Sequence, residues 1–115
     1  MRECQFEIMD VTLRDGSYAV NYQFSLEDEK NICFALESLG YRYIEIGHGM
    51  GLGASNAQNG IAKHTDKEYL HCARECLTSA KYGMFCIPEI ASLDDILLAA
   101  DYGCSFIRIG TKVED

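Results

Sequence analysis

Asp10-Val11-Thr12-Leu13-Arg14-Asp15-Gly16 places two acids, a hydroxyl, a guanidinium and a glycine in one short run. A carboxylate such as Asp15 suits a hard divalent cation, and a fixed cation such as Arg14 suits an oxygen on which negative charge builds. Further along, Glu45 alternates with Ile44 and Ile46, and Arg108 alternates with Ile107 and Ile109. That spacing sets each charged side chain on the opposite face of a strand from its apolar neighbours. His48 follows the Glu45 segment directly, and an imidazole titrates in the range useful for moving protons. An anionic ligand would need a local cationic site, and Arg14 and Arg108 are the residues placed to supply one.

The elements that must carry these groups can be read in order. Residues 5–13 read as a first strand, with Met9, Val11 and Leu13 on one parity and Asp10, Thr12 and Arg14 on the other. Gly16 lets the chain turn where that strand stops. Ser25 caps a helix with acids in its first turn and an apolar stripe at Ile32, Ala35, Leu36 and Leu39, ended by Gly40. Residues 41–47 are the second strand. The glycine-rich stretch 48–60 is a long loop, expected to be mobile over the mouth of the fold. Its Gly49-x-Gly51-x-Gly53 spacing is not that of a dinucleotide fingerprint.

Thr65 and Glu68 have capping-box spacing, and the helix they open carries Tyr69, Leu70, Ala73 and Leu77. Residues 82–87 form a third strand closed by Pro88. Ser92 opens a helix through Ile96, Leu97 and Ala100 to Gly103, and residues 105–110 are the fourth strand. Strict alternation of this kind gives parallel strands joined by right-handed crossovers. Charges at inward parity on three strands (Asp10, Glu45, Arg108) suit a barrel interior better than a sheet covered on both faces. A complete (β/α)8 TIM barrel takes roughly 250 residues. Residues 1–115 therefore read as a single partial α/β domain of about four β/α units, the N-terminal half of such a barrel. Its open edges predict self-association, and pairing with a twin would hide them.

Composition narrows the function classes. Eighteen acids against ten bases give a net charge of −8, which argues against nucleic acid and anionic membranes as partners. The N-terminus has no apolar signal region and no run reaches spanning length, so a cytoplasmic location with reduced thiols is expected for the six cysteines. Cys72 and Cys76, with His71 beside them, are one helical turn apart. They read as packing rather than zinc ligands because no second pair accompanies them.

The run Asp10–Gly16 resembles the DRE-TIM metallolyases, which include hydroxymethylglutaryl-CoA lyase and pyruvate carboxyltransferase domains. The resemblance continues at Ile44-Glu45-Ile46-Gly47-His48-Gly49, Gly51-Leu52-Gly53-Ala54-Ser55 and His64-Thr65-Asp66, where it is most similar to the 4-hydroxy-2-oxovalerate aldolase branch. It implies a divalent-metal-dependent aldolase or lyase, using Mn2+ or Mg2+, that cleaves a 4-hydroxy-2-oxo acid to pyruvate and an aldehyde. Asp15 matches the metal-binding aspartate; the plain alternative is an acid capping the following turn. Arg14 matches the arginine that holds the enolate oxygen, and Glu45 the glutamate that orients it. Asp10 keeps the reading of an interior hydrogen-bonding acid.

Two departures stand out. The family's other metal ligands come from a His-x-His on a later strand, and His48, His64 and His71 do not have that spacing. The aldolase branch also has a catalytic histidine where this chain has Tyr18, and a phenol is a poor base at neutral pH. Tyr18 then hydrogen-bonds the substrate while His48 moves the proton, or His48 anchors its loop and the reaction differs. An acetyl-CoA-dependent condensing synthase of the same superfamily and a non-catalytic barrel half are the alternatives.

Overall fold

The computed structural model describes residues 7–111. Four short parallel strands form one sheet in the order β1-β2-β3-β4: β1 (Met9–Asp10), β2 (Tyr43–Ile46), β3 (Lys81–Cys86) and β4 (Phe106–Ile109). Each strand pairs with the next in sequence, which is the winding of a β/α barrel rather than of a doubly wound sheet. The architecture is that of the N-terminal half of a TIM barrel. Helices α2 (Leu26–Ser38), α3 (Asp66–Cys76) and α4 (Leu93–Asp101) form the crossovers. No helix among the described residues is long and apolar enough to cross a membrane.

All three crossover helices start the same way. Ser25, Thr65 and Ser92 each accept the N–H three residues on, and Asp28, Glu68 and Asp95 return the bond to the cap's own N–H. The capping box satisfies two otherwise orphaned donors per helix. Between the helices and the sheet lies the core, built on Ile44, Ile46 and Met84, with Leu36, Leu70, Ala73 and Ala99 opposite them. The apolar stripe of α2 is rotated from the expected one. Cys33 and Leu36 are buried with Glu29, whereas Ala35 and Leu39 face out.

The first strand is shorter than expected. Residues 5 and 6 lie outside the described residues, and the strand ends at Asp10 rather than at residue 13. Thr12–Gly16 is a short helix, α1, continued by a 3-10 turn over Ser17–Val20. The cause is local hydrogen bonding. Asp10 accepts the Thr12 N–H at 2.9 Å and the Thr12 hydroxyl at 3.0 Å, and Ser17 Oγ donates to the Arg14 carbonyl at 2.7 Å. Such bonds offer the backbone an alternative to the ladder. Asp10 also pairs in register with Ile44, so it lies on the helix side of the sheet and not at inward parity.

One carboxylate ties a helix end to the next strand. Glu37 near the end of α2 accepts the N–H groups of Thr78, Ser79 and Ala80 at 3.0, 2.8 and 2.8 Å, all in the approach to β3. The Ala80 N–H above all, with those of Ser79 and Thr78, holds its pKa down at about 2. A depressed carboxyl stabilises the fold above its unfolded pKa of 4.5, and that contribution is lost as pH falls toward 2. Glu37→Ala should cost about 1 kcal/mol at pH 7, a modest figure because solvent screens the group. Urea unfolding of both proteins should show the difference shrinking below pH 4.5.

Candidate active site

The strands' C-terminal ends and α1 converge on Glu45. Its side chain is fully buried on the inner face of β2, opposite Gly83 in β3. Arg14 Nε donates to Glu45 Oε1 at 2.8 Å; Arg108, from β4, donates Nε to Oε2 at 2.7 Å and Nη2 to Oε1 at 2.8 Å. Both guanidinium groups also rest on the Phe85 ring, 4.7 and 4.8 Å from its centroid. Burial works to raise the Glu45 pKa, but the bonds from Arg108 and Arg14 outweigh it and hold the carboxyl below its ordinary value. One buried anion thus fixes two cations.

Arg14 is held at a second point. Its Nη1 donates to the Gly49 carbonyl at 3.0 Å, which leaves Nη2 without a protein partner among the described residues. Asp15 lies beside it, with a carboxylate oxygen 3.9 Å from Arg14 Nη1 and two thirds of its side chain exposed at the rim. The Asp15 carboxylate is a hard oxygen donor open to a ligand. Among the described residues, no three His, Cys, Asp or Glu side chains converge to hold a metal ion. Asp15 therefore fits as one ligand of a divalent cation, and the described residues do not complete the set.

Tyr18 packs against Gly49: a Cβ there would come within 2.6 Å of the phenol ring. Its pKa is raised, by burial first and by neighbouring Tyr22 next, with Arg14 opposing. The group is a neutral phenol at pH 7, able to donate a proton and ill suited to take one.

His48 is buried, and the Tyr22 ring stacks on it with centroids 3.9 Å apart. The Met50 N–H donates to Nδ1 at 3.0 Å, so Nε2 carries the proton and donates to the Gly60 carbonyl at 2.9 Å. Burial lowers its pKa. Both ring nitrogens are thereby committed to the two ends of loop 48–60, and neither faces the rim.

That loop is packed rather than free. Leu52 and Ala54 are buried, the Leu52 N–H donates to the Phe85 carbonyl at 2.8 Å, and the Gly53 N–H donates to Asp66 Oδ2 at 2.9 Å. Gly51 has φ +92° and lies directly against the Phe85 carbonyl, where any Cβ would collide. The stretch through Ala54 forms a packed wall in place of the expected mobile flap, while residues 56–58 are exposed.

Cys72 and Cys76 face the groove between α2 and α3, their sulfurs 3.8 Å apart, away from the rim. The structure brings together Arg14, Asp15, Tyr18 and Glu45; it sets His48 behind them. Arg108's bidentate hold on Glu45 and the Phe85 platform were not assigned from sequence. Arg108 carried a signal in its strand parity, whereas nothing local marks Phe85.

A singly wound parallel sheet with a fixed guanidinium and an exposed carboxylate at its C-terminal rim defines the N-terminal half of a β/α barrel. The family model described as HMGL-like matches residues 5–115, and the chain belongs to that family. Over 102 residues it is 45% identical to an oxaloacetate decarboxylase of Mycobacterium tuberculosis, covering 89% of this chain and 30% of that protein. It is 40% identical over 104 residues to a 4-hydroxy-2-oxovalerate aldolase of Serratia proteamaculans, covering 90% of this chain and 31% of that one. A second 4-hydroxy-2-oxovalerate aldolase, from Carboxydothermus hydrogenoformans, is 36% identical over 107 residues, covering 93% and 32%. The chain thus spans about a third of the length of the relatives it matches.

Proposed function

We propose that this chain contributes the rim of a divalent-metal-dependent carbon–carbon lyase acting on a 2-oxo acid, with cleavage of 4-hydroxy-2-oxovalerate to pyruvate and acetaldehyde as the leading reaction. The observation that carries this reading is Arg14, clamped by Glu45 and the Gly49 carbonyl, with Nη2 uncommitted and the Asp15 carboxylate 3.9 Å from Nη1. Mn2+ or Mg2+ held in part by Asp15 would supply Lewis acidity to the 2-oxo group. Arg14 would then hold the enolate oxygen as the bond breaks, its orientation set in advance by Glu45. Tyr18 would hydrogen-bond the substrate from the wall formed with Gly49. His48 holds the loop in this reading and moves no proton, so the 4-hydroxyl proton released as the bond breaks passes to water or to a base contributed from beyond the described residues. The thiols of buried Cys33 and Cys86 support a reducing compartment such as the cytoplasm. The open strand edges are where further chain or a second copy would close the barrel.

A second reading is favoured by Tyr18 and by the decarboxylase relative. Loss of CO2 from a 2-oxo acid with a 3-carboxylate needs no base on a hydroxyl. The C–C bond breaks, its electron pair becomes the enolate, and the neutral Tyr18 phenol protonates the carbon before regaining a proton from water. Pyruvate release from 4-hydroxy-2-oxovalerate and from oxaloacetate, with release of free CoA from acetyl-CoA plus a 2-oxo acid as a control, separates the readings. Metal-dependent turnover of either of the first two is expected from the barrel closed by further chain or a second copy. Asp15→Asn should lower it at least about 100-fold with an unchanged circular-dichroism spectrum. Turnover indifferent to chelation, or retained in that variant, would overturn the assignment.

A further inference from the structure

Glu29 lies in the first half of α2, on the face that packs against the sheet and α3, and is 1% exposed. Its carboxyl oxygens are the only buried side-chain polar atoms among the described residues that have no hydrogen-bond partner. Both facts demand an explanation, because a buried polar group without a partner is costly and rare. Glu29 borders a small cavity of about 10 Å3, space for the centre of one water molecule, shared with Ser17, Tyr22, His48 and Tyr69.

The neighbours offer it no cation and almost no donor. On α2 itself it has Cys33; from α3 it meets Tyr69 and Cys72, with Cys76 beyond; Ser17, Tyr22 and His48 close the cavity. The Tyr69 hydroxyl donates to the Phe24 carbonyl, Ser17 Oγ to the Arg14 carbonyl, and Cys72 Sγ to the Leu26 carbonyl. His48 has both nitrogens engaged. Each of these donors is spent elsewhere, while Ser17 Oγ keeps lone pairs free to accept.

We propose that Glu29 and this cavity form a buried acid–water site, in which a neutral carboxylic acid donates to one internal water shared with Ser17 and so ties α2 to the turn that follows the helix of Arg14. Burial pushes the Glu29 carboxyl up to about 8, and the adjacent Cys72 thiol offsets only a little of that. The folded chain therefore keeps this proton to a higher pH than the unfolded chain does. Above the unfolded value of 4.5 the folding equilibrium constant should fall as pH rises, by up to about tenfold per unit, and level off past about 8. The site is independent of which substrate the rim takes.

Chemical unfolding of the full 115-residue chain from pH 5 to 9, beside Glu29→Gln, reads this directly. The wild type should lose stability across that range by on the order of 10³-fold in the equilibrium constant, and the glutamine variant should lack that slope and be the more stable at pH 9. Parallel slopes in the two proteins would overturn the proposal. Should the variant fail to fold, carbon-13 titration of the wild-type glutamates decides it. One carboxyl with a midpoint near neutral or above supports the site, and midpoints all in the ordinary carboxylate range refute it. A long-lived internal water in oxygen-17 relaxation dispersion, lost in Glu29→Met, is expected; a dry cavity would contradict the water's part.

Discussion

Glu45→Ala should destabilise the chain by about 3 kcal/mol at pH 7, a large fraction of the stability of a small domain. The reason is asymmetry. Glu45 is fully buried between two guanidinium groups, and its removal strands Arg14, whose side chain is only 13% exposed. Arg108, 43% exposed, can turn to water, which keeps the cost below that of a fully enclosed pair. Glu45→Gln, which keeps the shape and loses the charge, should cost less. The Glu45 pKa is depressed in the folded chain, so its contribution is complete above 4.5 and is lost as pH falls through the folded value. Urea unfolding at pH 7 should show the full penalty, and at acid pH the wild type and the alanine variant should converge.

The second large effect is on turnover. Arg14→Lys should reduce kcat/KM by about 10²–10³, equivalent to about 3–4 kcal/mol of transition-state stabilisation. A guanidinium can bind Glu45 through Nε, the Gly49 carbonyl through Nη1, and still present Nη2 to an oxyanion. An ammonium has one nitrogen and a longer reach to fix, so it can satisfy the carboxylate or the substrate but not all three points. Its effect should fall on kcat more than on KM, since the oxygen carries its full charge only as the bond breaks. Equal kinetics for the two proteins would mean that Arg14 is structural.

The helices were legible because their signals are local. Ser25, Thr65 and Ser92 bond to residues three positions on, and that spacing is visible in the sequence. The parity of Glu45 and Arg108 was legible too, since it needs only alternation against isoleucine. The region from Asp10 to Val20 misled for a physical reason. Val11 and Leu13 fit a strand and a helical turn equally well, and the choice was made by the Asp10 carboxylate capturing Thr12. Glu29 was hidden by the same logic on α2. An acid in the run Leu26-Glu29-Cys33-Leu36 occupies the buried stripe, but Ile32 and Leu39 offered a competing face of similar strength. Phe85 had no local mark at all, because two arginines from distant segments reach it only after folding.

The role of His48 shows where chemistry by residue type stops. Its imidazole was a natural candidate for proton transfer, yet a backbone N–H and a backbone carbonyl occupy both nitrogens. The same bonds hold Gly49 under Tyr18 and against Arg14. In the structure described, these bonds place His48 in the wall against which the candidate site is built.

The central claim is that Arg14, set by Glu45, steadies an enolate at the rim. Exchange of the pyruvate methyl protons for deuterium tests it without commitment to a cleavage substrate, because exchange at that carbon passes through the enolate. With Mn2+ in deuterium oxide, proton NMR of the barrel closed by further chain or a second copy should show metal-dependent exchange, and at least about 100-fold slower exchange with Arg14→Lys. Exchange as fast in the variant as in the wild type would contradict the account.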